Sequence, residues 1–151
     1  MANPLYGQNK ADNAIDSAKS HVIEVGAART LKASESGAIV MITESETAVY
    51  TITLPSVAGN AGCKYTFFVK AVSGTGDYDV TVAQSTSDAN NIVFGNIDGA
   101  ATYVDVGHDG FIFDTGTCSA GDCVQIVCDG AGWYIVVGTS SAAGGIDVYN
   151  A

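Results

Sequence analysis

The 151-residue chain is rich in apolar residues and poor in charge, with 47% hydrophobic residues, 15% charged residues and 18 glycines. Its formal net charge is −10, and the whole excess lies after residue 70, where there are ten aspartates and no lysine or arginine. An acidic surface repels phosphate backbones and anionic lipids, so we expect no nucleic-acid partner and no membrane partner. The sequence also lacks the run of about 20 apolar residues that a membrane span needs and the apolar leader of an exported protein.

The first part of the chain, residues 1–30, is polar and contains Pro4 within its opening stretch. We predict that it is an extended N-terminal arm rather than part of the folded core. Three apolar side chains, those of Leu5, Tyr6 and Ile15, interrupt the polar residues. A peptide that orders on a partner surface needs such anchors, so these three are candidate partner-binding residues.

From His21 onward, short β-branched or aromatic runs alternate with polar residues and end at Gly, Asp, Asn, Ser or Pro. Alternation with a period of two, repeated at regular spacing, is typical of an antiparallel β-sandwich or barrel. We assign the β domain to residues 31–138. The run "YTFFVKAV" at 65–72 is partly apolar on both faces, with Phe67 on one face and Phe68 on the other, which predicts a central strand.

A hairpin is predicted at residues 121–138, "GDCVQIVCDGAGWYIVVG". Val124 and Ile126 alternate along the first strand, and a turn with Asp129 and its neighbouring glycines leads into the return strand. Trp133 begins that return strand. A core or sheet-covering role is the simplest interpretation for this tryptophan, with ligand stacking as the alternative.

The end of the chain, residues 139–151, reads "TSSAAGGIDVYNA" and is predicted to be a short C-terminal tail. Ser, Ala and Gly dominate its first part, as in a flexible linker. Its apolar tip suggests a segment that docks on another surface. Ile146 and Tyr149 are therefore added to the candidate partner-binding residues.

The cysteines do not form a recognisable metal motif. Cys118, Cys123 and Cys128 are separated by four residues each, whereas zinc modules use paired ligands two to four residues apart with a fourth donor in matching geometry. We expect the four cysteines, including Cys63, to act as small hydrophobic residues. A disulfide between Cys118 and Cys123 across the "SAGD" turn stays open as an alternative.

No catalytic constellation stands out. The chain has only two histidines, His21 and His108, and nothing resembles a nucleophile elbow around its serines. The carboxylates of "GDYD" and "DGFIFD" lack the spacing of a calcium loop. We therefore expect a non-enzymatic protein with no metal and no cofactor.

Several segments resemble a pattern found in small structural proteins of tailed bacteriophages. They are "LKASESG" at 31–37, "LP" at 54–55 followed by "YTF" at 65–67, and the "GD" to "WY" segment at 121–134. The opening "NPLYGQNKAD" is similar to the start of head decoration proteins of marine cyanophages. The resemblance implies an all-β protein with an antiparallel, jelly-roll-like β-sandwich, an extended N-terminal arm and a short C-terminal tail.

The function implied by this resemblance is that of a decoration or cement protein. Such a protein is made in the host cytoplasm, sits on the outer capsid surface of the virion and clamps subunits of the major capsid protein, usually as a homotrimer. The same motifs recur in tail-fibre and tailspike modules. A host-recognition β module that binds a glycan or receptor through exposed aromatic residues and acidic loops is therefore the alternative.

Overall fold

The computed structural model describes residues 21–43, 48–72, 79–89, 93–95, 97 and 107–150. Within these ranges the chain forms eleven strands and one 3-10 turn, Ala33–Glu35. The strands are β1 (Val22–Val25), β2 (Arg29–Thr30), β3 (Ile39–Thr43), β4 (Tyr50–Thr53), β5 (Lys64–Ala71), β6 (Val80–Ala83), β7 (Val93–Phe94), β8 (Gly110–Phe113), β9 (Cys123–Cys128), β10 (Trp133–Thr139) and β11 (Ile146–Tyr149). The all-β, sandwich-like architecture predicted from the sequence is confirmed.

The strands form two mixed sheets. Sheet A has the order β1-β3-β5-β9-β10-β7, and sheet B has the order β11-β8-β6-β4-β2. The first six strands alternate between the two sheets, so β1, β3 and β5 lie side by side in sheet A while β2, β4 and β6 lie side by side in sheet B. All of these neighbours pair in parallel, because each strand returns to its own sheet only after the chain has crossed the other one.

The second part of the chain adds strands in the antiparallel sense. Strand β9 pairs with β5 and then with β10 in the predicted hairpin, while β8 pairs with β6 and β11. Only the short β7 pairs in parallel here, with β10. The expectation of a purely antiparallel, jelly-roll-like sandwich is therefore wrong for the first six strands, because side-chain alternation defines the buried face of a strand but not the direction of its neighbour.

The core lies between the sheets and is built from the inward side chains of both. Phe67 and Trp133 from sheet A and Phe111 from sheet B are almost fully buried. The rings of Phe67 and Phe111 lie edge to face with centroids 5.6 Å apart, which joins the two sheets through an aromatic contact. The predictions that β5 is central and that Trp133 is a core residue are both confirmed.

The folded core begins earlier than the predicted boundary at residue 31. Strands β1 and β2 lie within the range assigned to the arm, and β1 contributes the buried side chains of Ile23 and Val25 to the core. The alternation of "VIEV" explains this, because it places those two residues on the same inward face.

The predicted C-terminal tail also belongs to the fold. Gly144 takes a positive φ of 84°, a conformation that suits glycine, and the chain then enters β11 at the edge of sheet B. Asp122 holds this return, since its carboxylate accepts hydrogen bonds from the backbone N–H of Ser141 at 2.8 Å and from its hydroxyl at 3.1 Å. The surface on which the tail docks is β8 of the same chain.

Candidate interaction surface

The outward-facing side of sheet A is an unusually apolar sheet surface. We define the outer face of sheet A by the apolar residues at its outward positions and at its bulge: Val22, Ile39, Met41, Phe68, Phe94, Val127, Tyr134, Val136 and Val137. Cross-strand pairing brings them together, as in the pairs Val22↔Ile39 and Met41↔Phe68. A sheet with one buried face normally carries mostly polar residues on the other face, and the outer face of sheet A departs from this pattern by its number of apolar residues.

The most exposed part of this surface lies on β10, where a β-bulge interrupts the pairing with β9. The register shifts between Ile135 and Val137, and Val136 is the additional residue. Val136 is 56% exposed and Val137 is 48% exposed. Val137 faces outward because the bulge shifts the register of β10 after Ile135.

An aromatic pair lies beside the bulge. The rings of Phe94 on β7 and Tyr134 on β10 are stacked, with centroids 5.4 Å apart and an angle of 19° between their planes. Tyr134 is 38% exposed. Desolvation, helped by the nearby Asp129 carboxylate, raises the pKa of the Tyr134 hydroxyl, so the ring offers a neutral hydrogen-bonding group above an apolar platform.

Outward positions of sheet A also carry polar residues, and four of these form two pairs; the polar residues include Glu24, Lys64, Thr66, Lys70, Gln125 and Thr139. The Gln125 side-chain amide donates to the Thr66 hydroxyl at 3.2 Å across the β5 and β9 strands. At the border, the Lys70 ammonium group lies 2.8 Å from a carboxylate oxygen of Glu24. Because both pairs are satisfied within the chain, these four side chains do not need a partner for their hydrogen bonds.

The outward-facing side of sheet B has a different chemistry. Its outward positions carry Thr51, Thr53 and Thr81 on β4 and β6, with Asp147 and Tyr149 on β11. The loops that join β4, β6, β8 and β11 add four more aspartates, namely Asp79, Asp88, Asp109 and Asp114. Five of the ten aspartates in the second half of the sequence therefore lie on sheet B or in its loops.

The predicted partner-binding residues do not form one cluster. Leu5, Tyr6 and Ile15 lie outside the described residues. Ile146 has no exposed surface, because it packs into the core opposite Phe113, so its assignment as a partner-binding residue is wrong. Tyr149 is half-buried and lies on the outer face of sheet B, where it remains a candidate.

The residues of the outer face of sheet A that sequence reasoning missed did leave a signal. Tyr134 and Val136 fall at positions where simple alternation after Trp133 would call for polar residues on a solvated face. An apolar run that breaks alternation indicates a strand covered on both sides, or a surface reserved for a partner.

The cysteines are thiols in the structure. Cys118 and Cys128 are buried in the core, which confirms the predicted hydrophobic role for these two, while Cys63 and Cys123 are half-buried. Burial raises the pKa of the Cys128 thiol and keeps it protonated. Among the described residues, no three His, Cys, Asp or Glu side chains are grouped in a way that could hold a metal ion.

His108 is largely buried beside the end of the chain. Its backbone pairs with that of Val93, and its ring Nδ1 lies 2.9 Å from the side-chain oxygen of Asn150. This ring helps to hold the end of the chain beside β8. In the part of the chain that the structure describes, no helix has the length and hydropathy needed to cross a membrane.

Comparison with known proteins gives no match to a protein family, to a curated protein or to a solved structure.

Proposed function

We propose that this chain is a non-enzymatic structural protein of a virion, a decoration or cement protein that attaches to the outer capsid surface. In this proposal it binds the major capsid protein, acts as a homotrimer and stabilises the head by clamping neighbouring capsid subunits. The observation that carries the proposal is the outer face of sheet A. Its exposed valines and its aromatic stack form the kind of contiguous apolar surface that soluble proteins reserve for a partner.

The rigidity of this surface supports a clamping role. It lies on strands whose opposite side is packed into the core, so little conformational entropy is lost when it binds. Flat apolar contact from a rigid sheet suits a partner that is itself rigid, such as an assembled capsid lattice. Trimer formation would multiply this attachment, because three linked copies bind neighbouring sites at a high effective concentration.

The distribution of charge supports one orientation on the particle. The strands of sheet A carry two lysines and one glutamate, with Asp122 and Asp129 in the loops beside β9, whereas the strands and loops of sheet B carry five aspartates and Arg29. An apolar and nearly neutral face can be covered by a partner at low desolvation cost, while an acidic face is best left in solvent. We therefore place sheet A toward the capsid and sheet B toward the solvent.

Rebinding to particles tests the proposal. Particles purified without this chain are mixed with the full chain, and the bound fraction is measured by co-sedimentation and located by electron cryo-microscopy. Wild type is expected on the head surface. Val137→Lys, which places a charge in the apolar surface, is expected to weaken rebinding by at least about tenfold, since an unpaired charge would be desolvated.

The matched control is Val49→Lys. Val49 is 65% exposed, precedes β4 and lies outside the outer face of sheet A, so its replacement is expected to leave rebinding unchanged. Location of the chain on the tail, or equal rebinding of Val137→Lys and wild type, would contradict the proposal. Two measurements test the trimer. Light scattering gives the molar mass of the free chain at high concentration, and electron cryo-microscopy gives the number of copies at each binding site on the particle.

A further inference from the structure

A second surface feature, separate from the proposed capsid-binding face, is a cleft on the outer face of sheet B. Its volume is ≈ 390 Å³, near the lower end of the range of about 300–1,000 Å³ that is typical of small-molecule sites. The lining combines hydroxyl, amide and carboxylate groups with one aromatic ring. The residues are Thr51, Thr53, Ala83, Gln84, Ser85, Thr86, Asp88, Asp109 and Tyr149.

The cleft results from the residues that stand side by side across sheet B. Pairing aligns Tyr149 with Gly110, Gly110 with Ala83, and Ala83 with Thr53. The two central residues have at most one side-chain carbon, so a depression remains between the tyrosine and the threonine. Gly110 cannot be replaced at low cost, because a Cβ atom there would lie 2.0 Å from the carbonyl oxygen of Val82. The depression is thus imposed by the close approach of β6 and β8.

The polar groups of the cleft are held in place by the fold. The Gln84 side-chain amide donates to Asp109 Oδ1 at 2.6 Å, and the backbone N–H of Gln84 donates to the Asp109 carbonyl at 2.8 Å. The Asp88 carboxylate accepts hydrogen bonds from the Ser56 hydroxyl at 2.6 Å and from the backbone N–H of Val57. Side chains fixed in this way lose little entropy when a ligand binds.

The lining also restricts the chemistry of a ligand. Among the residues that the structure describes, two carboxylates and no Lys, Arg or His line the cleft, so phosphates, uronic acids and other anions are disfavoured. Hydroxyl and amide groups predominate, so a wholly apolar ligand would leave them without partners. What fits is a neutral molecule with many hydroxyl groups and one apolar side, which could pack against the ring of Tyr149.

From this lining we infer that the cleft on sheet B is a binding site for a neutral carbohydrate of one or two sugar rings. The hydroxyls of Thr51, Thr53 and Ser85 bind sugar hydroxyls, and the Tyr149 ring covers the apolar C–H side of one sugar ring. In the orientation proposed above, this site faces the solvent. The inference does not depend on that orientation, because the cleft is defined by the chain alone.

Ligand-detected NMR and calorimetry on the full chain test this inference. The probes are glucose, galactose and N-acetylglucosamine, with glucuronic acid as the anionic counterpart of glucose. At least one neutral sugar is expected to bind in a saturable way, and glucuronic acid is expected to bind more weakly than glucose. Ala83→Leu fills the cleft from an outward position and is expected to weaken the binding by at least about tenfold.

The control for added bulk is Ala71→Leu, at an exposed position at the end of β5 in sheet A. It should bind sugar as wild type does. Tyr149→Ser removes the ring without filling the cleft and should also weaken binding, and circular dichroism checks that each variant is folded. The inference is overturned if none of the neutral sugars binds, if Ala83→Leu binds as well as wild type, or if glucuronic acid binds more tightly than glucose.

Discussion

The two sheets of this protein bury similar inner faces but present different outer faces. Inward positions on both are filled by Val, Ile, Phe and Tyr, as the shared core requires. Outward positions on sheet A carry valines, Met41 and a Phe94–Tyr134 stack, whereas those on sheet B carry threonines, an aspartate and a tyrosine beside a cleft. Burial in the core requires apolar residues at the inward positions only. The residue types at the outward positions therefore give the most direct information about partners.

The strongest test of this comparison uses two adjacent phenylalanines on β5. Phe67 has no exposed surface, whereas Phe68 is half-buried on the outer face of sheet A. Phe67→Ala is expected to lower the free energy of unfolding by about 3–5 kcal/mol because it leaves a cavity in the core. Phe68→Ala is expected to cost only about 1 kcal/mol because a partly exposed ring gains less from folding.

Urea denaturation followed by tryptophan fluorescence measures both changes, and Trp133, the only tryptophan, reports on the core. Equal losses of unfolding free energy for the two variants would mean that other residues of the same chain already cover the outer face of sheet A. The surface would then be part of the fold and not a contact for a capsid protein, and the comparison between the sheets would fail.

A parallel pair on β11 tests sheet B. Ile146 is fully buried, and Tyr149 lies three residues later on the outer face. Ile146→Ala is expected to cost about 2–5 kcal/mol, as for other buried aliphatic residues. Tyr149→Ala is expected to change stability much less, and its effect should appear in sugar binding instead. A stability loss for Tyr149→Ala as large as that for Ile146→Ala would mean that this tyrosine is a structural residue of the edge strand.

These pairs also illustrate what the sequence could reveal. The inward and outward sides of β5, β6 and β9 follow from alternation, because burial of one face imposes a period of two. The parallel pairing of β1, β3 and β5 could not be read in this way, since each partner lies beyond a strand that belongs to the other sheet. Strand direction depends on how the chain crosses between sheets, and alternation carries no information about that.

The candidate surfaces were harder to predict than the fold. Ile146 was assigned to a partner because the glycines before it suggested a linker, but Gly144 and Gly145 form the turn that returns the chain to β8. The outer face of sheet A depends on a bulge at Val136, and the cleft on sheet B depends on two small residues from different strands. Features that arise from several distant segments become visible only when the strands are aligned.

The smallest expected effect concerns Asp129, at the turn of the β9–β10 hairpin in sheet A. Its carboxylate accepts hydrogen bonds from the backbone N–H of Ala131 at 2.7 Å and of Gly132 at 2.8 Å, and these bonds lower its pKa below the ordinary value of 3.8. The unfolded chain binds the proton more readily than the folded chain. The charged carboxylate therefore stabilises the fold above pH 3.8, and this contribution is lost as the pH falls through the lower folded-state pKa.

Asp129→Asn separates this charge effect from the geometry of the turn, because the amide keeps an acceptor oxygen but does not titrate in this range. The difference in unfolding free energy between wild type and Asp129→Asn is expected to be constant above about pH 5 and to shrink below it as the carboxylate is protonated. Denaturation at a series of pH values measures this difference. If it stays the same down to pH values at which both states are protonated, the hydrogen bonds at the turn do not favour the charged form of Asp129 over the neutral form.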